Sequence, residues 1–345
     1  MTEGRKADSF PPLPEEALAH FRDSSDILLL THHNPDGDAI GSSMGLALTL
    51  LERGKKVDLF LAGTWSDHLA YLLGTWPVKR GLDQLRPLAD YDLVVLLDCH
   101  SFARLGPDGE ILERKLAGLS SPAPQLVIDH HLLAEDEIKK GNWILQSTAS
   151  STGELVWKLI QALDWTPPQA ALQALLLAIA SDTGFFSQSN TSAGALAAAS
   201  DLVALGGDLE DVNRRIKKDL PLRRLKLMGL VLDSLELHFD GRLATMLVTP
   251  GMLEKSGALL SDTEDFVEMG RSLAGVSLSA LFKDSGSGPG GVRVSLRSRP
   301  EVDAAYLASL MGGGGHRQAA AYNDPEAGDA PAALANFLAG VERFL

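Results

Sequence analysis

Histidines and aspartates gather in this chain where short apolar runs end. In THHNPDGDAIGSS, residues 31 to 43, which directly follows ILLL, Asp36 and Asp38 lie two apart and His32 lies four before Asp36. Asp98 closes LVVLL, the triplet Asp129, His130 and His131 closes QLVI, and Asp182 stands at the exit of a later apolar helical stretch that ends in SDTGFF. A single buried histidine or aspartate is ordinarily a cap or a satisfied core group. Four carboxylates packed on one edge need more, because unpaired they repel one another and carry a heavy desolvation cost. Two divalent cations would cancel the four charges, so the pattern predicts a dinuclear metal site.

The elements that must position these residues follow from the apolar runs. ILLL, LVVLL and QLVI are the length and composition of strands buried on both faces of a parallel sheet, with helices between them. In open sheets of this kind ligands bind beyond the carboxyl ends of the strands, which puts all three polar clusters on one edge. The first intervening helix is expected from Ala39 to Arg53, with Gly54 as its stop, and a later one from Pro168 to Ala180. SSTGELVWKLI reads as a helix start, with Ser151 as N-cap and Glu154 three residues on. A helix N-terminus there also suits a phosphate, which makes Ser151 a candidate substrate contact.

From about Asp201 to Leu237 the chain changes character. NRRIKKDLPLRRLK is basic, but leucines and isoleucine are interleaved at helical spacing and Asp219 and Pro221 interrupt the run, so a solvated helix face leading into a linker is expected rather than a nucleic-acid patch. RLATMLVT, VSLSALFKD and GVRVSLRSR then read as strands, the last alternating Val292, Val294 and Leu296 against Arg293, Ser295 and Arg297. SGSGPGG between the last two reads as a flexible loop. The fold class expected is therefore α/β. A flexible tail (1–18) precedes a parallel-sheet metal-binding domain (19–205), a helical linker (206–237) and a smaller α+β domain (238–345).

Composition narrows the function. At 345 residues the chain suits two hydrophobic cores better than one. Its formal charge of −14 argues against a general nucleic-acid coat or a binder of anionic membranes, both of which need a broad basic surface. The one cysteine, Cys99, cannot form an intrachain disulfide, which fits a reducing cytoplasm, and it reads as a small buried hydrophobe. No apolar run approaches the ~20 residues of a membrane span, and the N-terminus lacks the apolar stretch of a signal peptide.

HHNPDGDAIGS, LLDCH, VIDHH and ASDTGFF, in that order, resemble the successive motifs of the DHH-family phosphoesterases, and GGGGHRQAAA resembles the glycine-rich motif of the DHH-associated domain that accompanies them. The likeness runs from about residue 20 to about residue 325, and the two-domain layout is most similar to that of the bacterial nano-RNase branch, whose members also dephosphorylate pAp (adenosine 3′,5′-bisphosphate). The resemblance implies that His32 and Asp36 hold one metal, that Asp38, His130 and Asp182 hold the other, and that Asp98 bridges them. Asp129 would orient the neighbouring histidine, and His131 would face the scissile phosphate. It further implies that the C-terminal domain grips the substrate across a cleft from the metals, through Gly313, Gly314, Gly315 and His316. Arg293 and Arg297, with Arg299 nearby, would add positive charge. Without such a role the four glycines would only stop the preceding helix and form a mobile loop. The motif's usual closing glycine is Ala321 here.

Carboxylate and imidazole ligands without thiolate suit two Mn²⁺ per chain, with Co²⁺, Fe²⁺ or Mg²⁺ as substitutes. Two-metal chemistry would supply a bridging hydroxide for in-line attack on phosphorus, with His131 stabilising a non-bridging oxygen or the leaving alkoxide. The expected activity is hydrolysis of short single-stranded RNA to mononucleotides and removal of the 3′-phosphate of pAp, with no long duplex and no membrane as partner and a homodimer admitted. A phosphodiesterase for linear or cyclic dinucleotides is the alternative. Inorganic pyrophosphatase leaves GGGGH without a job, a RecJ-type exonuclease needs a further oligonucleotide-binding domain, and a non-catalytic nucleotide sensor would have lost a ligand, whereas none is missing.

Overall fold

Every residue from Ile27 to Leu30 is shielded from solvent, and alternate members of this run pack on opposite faces of one sheet. Ile27 and Leu29 join Leu93, Val95, Leu126 and Ile128 on one face, while Leu28 and Leu30 join Val94, Leu96 and Val127 on the other. The structure is a computed structural model that describes residues 12–65, 69–74, 78–131, 142–284 and 291–344. Two compact units divide the chain between Asp219 and Leu220.

The N-terminal unit runs α1 (Glu15–Asp23), β1 (Asp26–Thr31), α2 (Gly37–Glu52), β2 (Lys56–Phe60), a short α3 (Ala70–Leu73), β3 (Leu93–Leu97), α4 (Pro107–Ala117), β4 (Gln125–Asp129), β5 (Asn142–Leu145), α5 (Thr152–Ala162), α6 (Gln169–Asp182), α7 (Ala193–Ala204) and α8 (Leu209–Asn213). Its strands are all parallel, in the order β2-β1-β3-β4-β5. The chain winds to opposite sides of β1, so the ends of β1 and β3 flank the switch point where such sheets place their ligands. Helix α1 begins inside the segment expected to be tail, because Ala17, Leu18 and Phe21 are buried in the core.

Helix packing then carries the remaining groups to that edge. Gly37, Gly41 and Gly45 repeat every four residues along α2, on one face of the helix. A Cβ at Gly41 would lie 2.5 Å from the Ala174 carbonyl oxygen, one at Gly37 2.3 Å from Ser181 Oγ, and one at Gly45 2.6 Å from Leu175 Cδ2. The stripe lets α6 lie against α2 at a distance no side chain would permit. Asp182, the last residue of α6, thereby reaches the start of α2. Both helices depart from their expected bounds for local reasons: Asp36 caps α2, which so begins at Gly37, two residues ahead of Ala39, and α6 starts after Pro168 and runs on to Asp182 instead of ending at Ala180.

The C-terminal unit comprises α9 (Leu222–Asp233), β6 (Glu236–His238), β7 (Leu243–Val248), α10 (Pro250–Ser256), α11 (Phe266–Arg271), β8 (Leu278–Lys283), β9 (Val292–Ser298), α12 (Ala304–Leu310), β10 (Gly314–His316), β11 (Ala319–Asp324) and α13 (Ala330–Val341). Its sheet has the order β10-β11-β9-β8-β7-β6, antiparallel except between β7 and β8. The three strands read from sequence are present, and SGSGPGG lies, but for Gly291, outside the described residues. The 206–237 segment does not stand apart from either unit. Val212 is buried in the N-terminal core, whereas Leu227 and Val231 of α9 pack with Met246, Phe266 and Leu281 of the C-terminal unit. Among the described residues no helix is long and apolar enough to cross a membrane.

Candidate metal centre

Six side chains meet beyond the ends of β1, β3 and β4. His130 Nε2 lies 3.1 Å from Asp182 Oδ2, 3.5 Å from Asp98 Oδ1 and 3.6 Å from Asp38 Oδ2, and His32 Nε2 lies 3.5 Å from Asp98 Oδ2. Two triplets, His32–Asp36–Asp98 and Asp38–His130–Asp182, each have one donor atom per residue within 4.8 Å of the others, as does Asp98–His130–His131. The first two triplets are the two ligand sets expected from sequence, with Asp98 beside both.

Local structure explains how these groups stay in place. Asp36 Oδ1 accepts the N–H groups of Asp38 and Ala39 at 3.0 and 3.1 Å, so the same carboxylate caps α2 and faces the site. Asp98 follows β3 with φ of 57°, a left-handed conformation that costs a non-glycine residue about 1 kcal/mol or more. The site's side chains and Thr152 overdetermine that turn. Asp38 is fully buried, and both of its oxygens are tied to the start of α5: Oδ2 accepts the Thr152 N–H at 2.7 Å and Oδ1 the Gly153 N–H at 2.9 Å. The Thr152 hydroxyl donates to Asp98 Oδ1 at 3.0 Å.

Charge within the cluster is redistributed accordingly. Desolvation, followed by the charges of Asp98 and Asp182, raises the Asp38 carboxyl well above its ordinary range. The same causes raise Asp36 to about 6, although part of its surface reaches solvent. Burial would lower His130, but its bond to Asp182 and the surrounding carboxylates outweigh this and raise it to about 10. For Asp98 burial is likewise overcome, and the bond from His32 with the charges of three histidines keeps it below the usual carboxylate value. The crowding that raises the proton affinity of Asp36, Asp38 and His130 is the same repulsion that a bound cation would relieve. Hard carboxylate oxygens and imidazole nitrogens, crowded and without thiolate, fit a divalent cation of the Mn²⁺ or Mg²⁺ type.

Asp129 lies just outside this set. Its Oδ1 is 2.7 Å from His131 Nδ1 and accepts the His131 N–H at 3.0 Å, so it is His131 whose ring it orients. Ser151 does not reach the site. It is fully buried, and its hydroxyl accepts the Glu154 N–H at 3.1 Å, so of its two readings from sequence, cap and phosphate contact, its hydrogen bond is that of the cap. Glu154 returns to the N–H and hydroxyl of Ser150, both at 2.9 Å, rather than to Ser151. Thr152 and Gly153 are functional residues the sequence reading missed. The signal lay in the same SSTGE run, but a cap accounted for it completely.

The remaining candidates belong to the C-terminal unit. GGGGH divides between two roles: Gly312, at φ of 74°, lies in the turn that ends α12, as a helix stop would, while Gly314, Gly315 and His316 pair with Ala321, Ala320 and Ala319. A Cβ at Gly313 would lie 2.3 Å from the Ala321 carbonyl oxygen and one at Gly315 2.5 Å from that of Ala319, whereas one at Gly314 would meet nothing within 4 Å. Close approach to Ala321 is therefore achieved from the partner strand. Arg293 is exposed and stands opposite Lys283 in the β8–β9 register, on the face that also holds Ser295 and Arg297. Arg297 Nε is engaged by Glu268 at 3.1 Å, which makes Arg293 the freer cation. Lys283, half-buried, is a further group the sequence reading missed; desolvation and then the charges of Arg293 and Arg297 lower it to about 8.

Residues 26–179 match the DHH family, N-terminal domain, and residues 254–345 match the DHHA1 domain. The chain is 31% identical over 297 residues to the bifunctional oligoribonuclease and PAP phosphatase NrnA of Thermus thermophilus, covering 85% of this chain and 82% of that one. This chain belongs to the DHH family. The fold is also similar to that of a crystal structure of an exopolyphosphatase-related protein of Bacteroides fragilis, with a TM-score of 0.84 at 25% identity, covering 97% of this chain and 98% of that one. A probable manganese-dependent inorganic pyrophosphatase of Enterococcus faecalis is 23% identical over 220 residues, 59% of this chain and 68% of that protein.

Proposed function

We propose that the chain hydrolyses short oligoribonucleotides to mononucleotides and removes the 3′-phosphate of pAp, with two Mn²⁺ held by His32, Asp36, Asp38, Asp98, His130 and Asp182. The observation that carries this reading is the convergence of those six side chains in two adjoining ligand triplets, with Asp98 of the first 3.5 Å from His130 of the second. The substrate class is supported by the activities named for the Thermus relative, and the ion by the manganese named for the Enterococcus one.

Bound divalent cations supply a water nucleophile at neutral pH and neutralise charge on the phosphoryl oxygens. The chain's own residues do the rest. Asp36, Asp38, Asp98 and Asp182 give the site its negative charge, and the capped and helix-bound carboxylates arrive already oriented. His131, held through Nδ1 by Asp129, presents its other nitrogen as a hydrogen-bond donor to a phosphoryl or leaving oxygen. In the C-terminal unit, Gly314 leaves backbone open for an anion, and Arg293 with Lys283 adds positive charge. His316 is the further donor proposed there. The enzyme so described works in a reducing cytoplasm, with Cys99 buried and inert.

The test is a turnover panel with RNA of graded length, pAp, pApA, cyclic di-AMP, cyclic di-GMP and pyrophosphate, run in excess EDTA and after Mn²⁺ addition. Hydrolysis of two- to five-nucleotide RNA and pAp that needs added Mn²⁺ is expected. Turnover confined to cyclic dinucleotides or to pyrophosphate, or full activity in EDTA, would overturn the reading.

A further inference from the structure

Thr152 is the first residue of α5 and is fully buried. Capping does not explain its hydroxyl, because Ser151 already supplies the cap by accepting the Glu154 N–H. Instead the hydroxyl donates to Asp98 Oδ1 at 3.0 Å, while the backbone N–H of the same residue donates to Asp38 Oδ2 at 2.7 Å. Asp98 belongs to the His32–Asp36–Asp98 triplet, and its Oδ1 also lies 3.5 Å from His130 Nε2 of the other triplet, to which Asp38 belongs. One residue therefore ties a carboxylate of the first triplet to a carboxylate of the second.

The packing leaves α5 little freedom to move. A Cβ at Gly153 would lie 2.3 Å from Ala178 Cβ, so the start of α5 is pressed onto α6, the helix that carries Asp182. The N–H groups of Thr152 and Gly153 have no partner within the helix at its first turn, and Asp38 accepts both. With both oxygens so tied, the Asp38 carboxylate cannot turn about its terminal bond without losing two hydrogen bonds in a dry site. Asp98 needs a comparable restraint, since it sits on a left-handed residue at a strand end. The Thr152 hydroxyl supplies it with a neutral donor, which adds no charge to compete with an incoming cation.

We propose that Thr152 is a positioning residue for the metal centre: its hydroxyl fixes Asp98 relative to Asp38 and so sets the affinity with which divalent cations are held. This rests on the metal-centre reading above. The full-length protein, stripped of metal, is compared as wild type, Thr152→Val and Thr152→Ser, with Mn²⁺ binding read by calorimetry and by the loss of the free-ion EPR signal. Thr152→Val, which keeps the shape and the backbone N–H but removes the hydroxyl, weakens Mn²⁺ affinity by roughly 10- to 100-fold. Thr152→Ser keeps the hydroxyl and stays close to wild type. Wild-type affinity in Thr152→Val overturns the proposal, and so does a Thr152→Ser protein as weak as Thr152→Val, because the methyl group and not the hydroxyl would then matter. Should Thr152→Val fail to fold, Thr152→Ala against Thr152→Ser decides on the same criterion. A wild-type protein that binds no Mn²⁺ would instead sink the metal-centre reading itself.

Discussion

The two units solve the binding of charge in opposite ways. In the N-terminal unit aspartates and histidines are packed together at strand ends, with Asp38, Asp98 and Asp129 almost wholly shielded and each restrained by hydrogen bonds. In the C-terminal unit the cations stand along a sheet face, Arg293 exposed, Lys283 half-buried, Arg297 engaged by a surface glutamate. A buried site can hold reacting atoms to a fraction of an ångström, which is what chemistry requires. An open face carries weaker, more forgiving contacts, which suits a substrate of variable length. If this contrast is right, changes in the first region should abolish turnover and changes in the second should grade it.

Asp98→Ala is the hardest test of the first half. The side chain belongs to one ligand triplet and lies 3.5 Å from His130 of the other, so its loss should exceed the ~10- to 100-fold cost of removing a supporting residue, with metal content falling in parallel. Replacing the adjacent Cys99 by Ala should leave kcat near wild type, since that thiol is buried and unligated. A folded Asp98→Ala protein with near-normal kcat on short RNA would remove the bridging role.

Acidity distinguishes the two regions in a second way. His130 is raised from the ordinary imidazole value to about 10, and Asp36 is raised to about 6, so the folded metal-free protein binds protons the unfolded chain has released. The sign follows: the contribution of Asp36 is present below about pH 4 and is lost as pH rises through about 6, and that of His130 is present below about pH 6.5 and is lost through about 10. The Tm of the metal-free protein should therefore fall as pH rises from about 6.5 to 10, while Mn²⁺ affinity should rise because its ligands must be deprotonated. Thermal melts with and without Mn²⁺ across that range check both slopes. A metal-free Tm that climbs with pH would contradict the protonated cluster.

How far these regions can be read from sequence differs for physical reasons. ILLL, LVVLL and QLVI announced β1, β3 and β4 because strands buried on both faces must be apolar throughout, and a two-metal cluster followed from what stood at their ends, whereas its division into ligand sets came from the family resemblance. Strands β2 and β5 went unread: they are the sheet's edges, β2 is partly exposed, and β5 has only four residues. GGGGH was read as a helix stop or an anion cradle because glycine has no strand signature, yet the alanines of β11 demand a partner without side chains. Thr152 was hidden by distance along the chain, its contact with Asp98 spanning 54 residues.

In the C-terminal unit His316→Ala should lower kcat/KM on nucleotide substrates by roughly ten- to a hundredfold, the worth of one charge-assisted hydrogen bond. Metal content should be unchanged, and bis-p-nitrophenyl phosphate, which offers that unit nothing to hold, should be hydrolysed as before. The neighbouring glycines separate architecture from grip. Gly313→Ala drives a Cβ into Ala321 and Tyr322 and should cost about 1 to 3 kcal/mol of stability. Gly314→Ala meets open space, so any loss it shows on nucleotides, with Tm retained, reports on the anion itself. Equal losses of His316→Ala on both substrates would place that residue with the catalytic centre and erase the division of labour.

The smallest expected effect tests where the boundary of the buried site lies. Ser151 sits one residue from Thr152, but its hydroxyl is spent on the Glu154 N–H and no part of it reaches solvent. Ser151→Ala should therefore cost about 1 kcal/mol of stability, the usual worth of an N-cap. The α5 amides that hold Asp38 come from Thr152 and Gly153, whose backbone is also fixed by packing on α6, so Mn²⁺ affinity and KM for pAp should be unchanged. A phosphate contact makes the reverse pattern, with KM raised and Tm kept. Thermal melts and pAp kinetics on this one variant discriminate between them, and a raised KM at unchanged Tm would extend the substrate's reach to the foot of α5, where the structure shows only a cap.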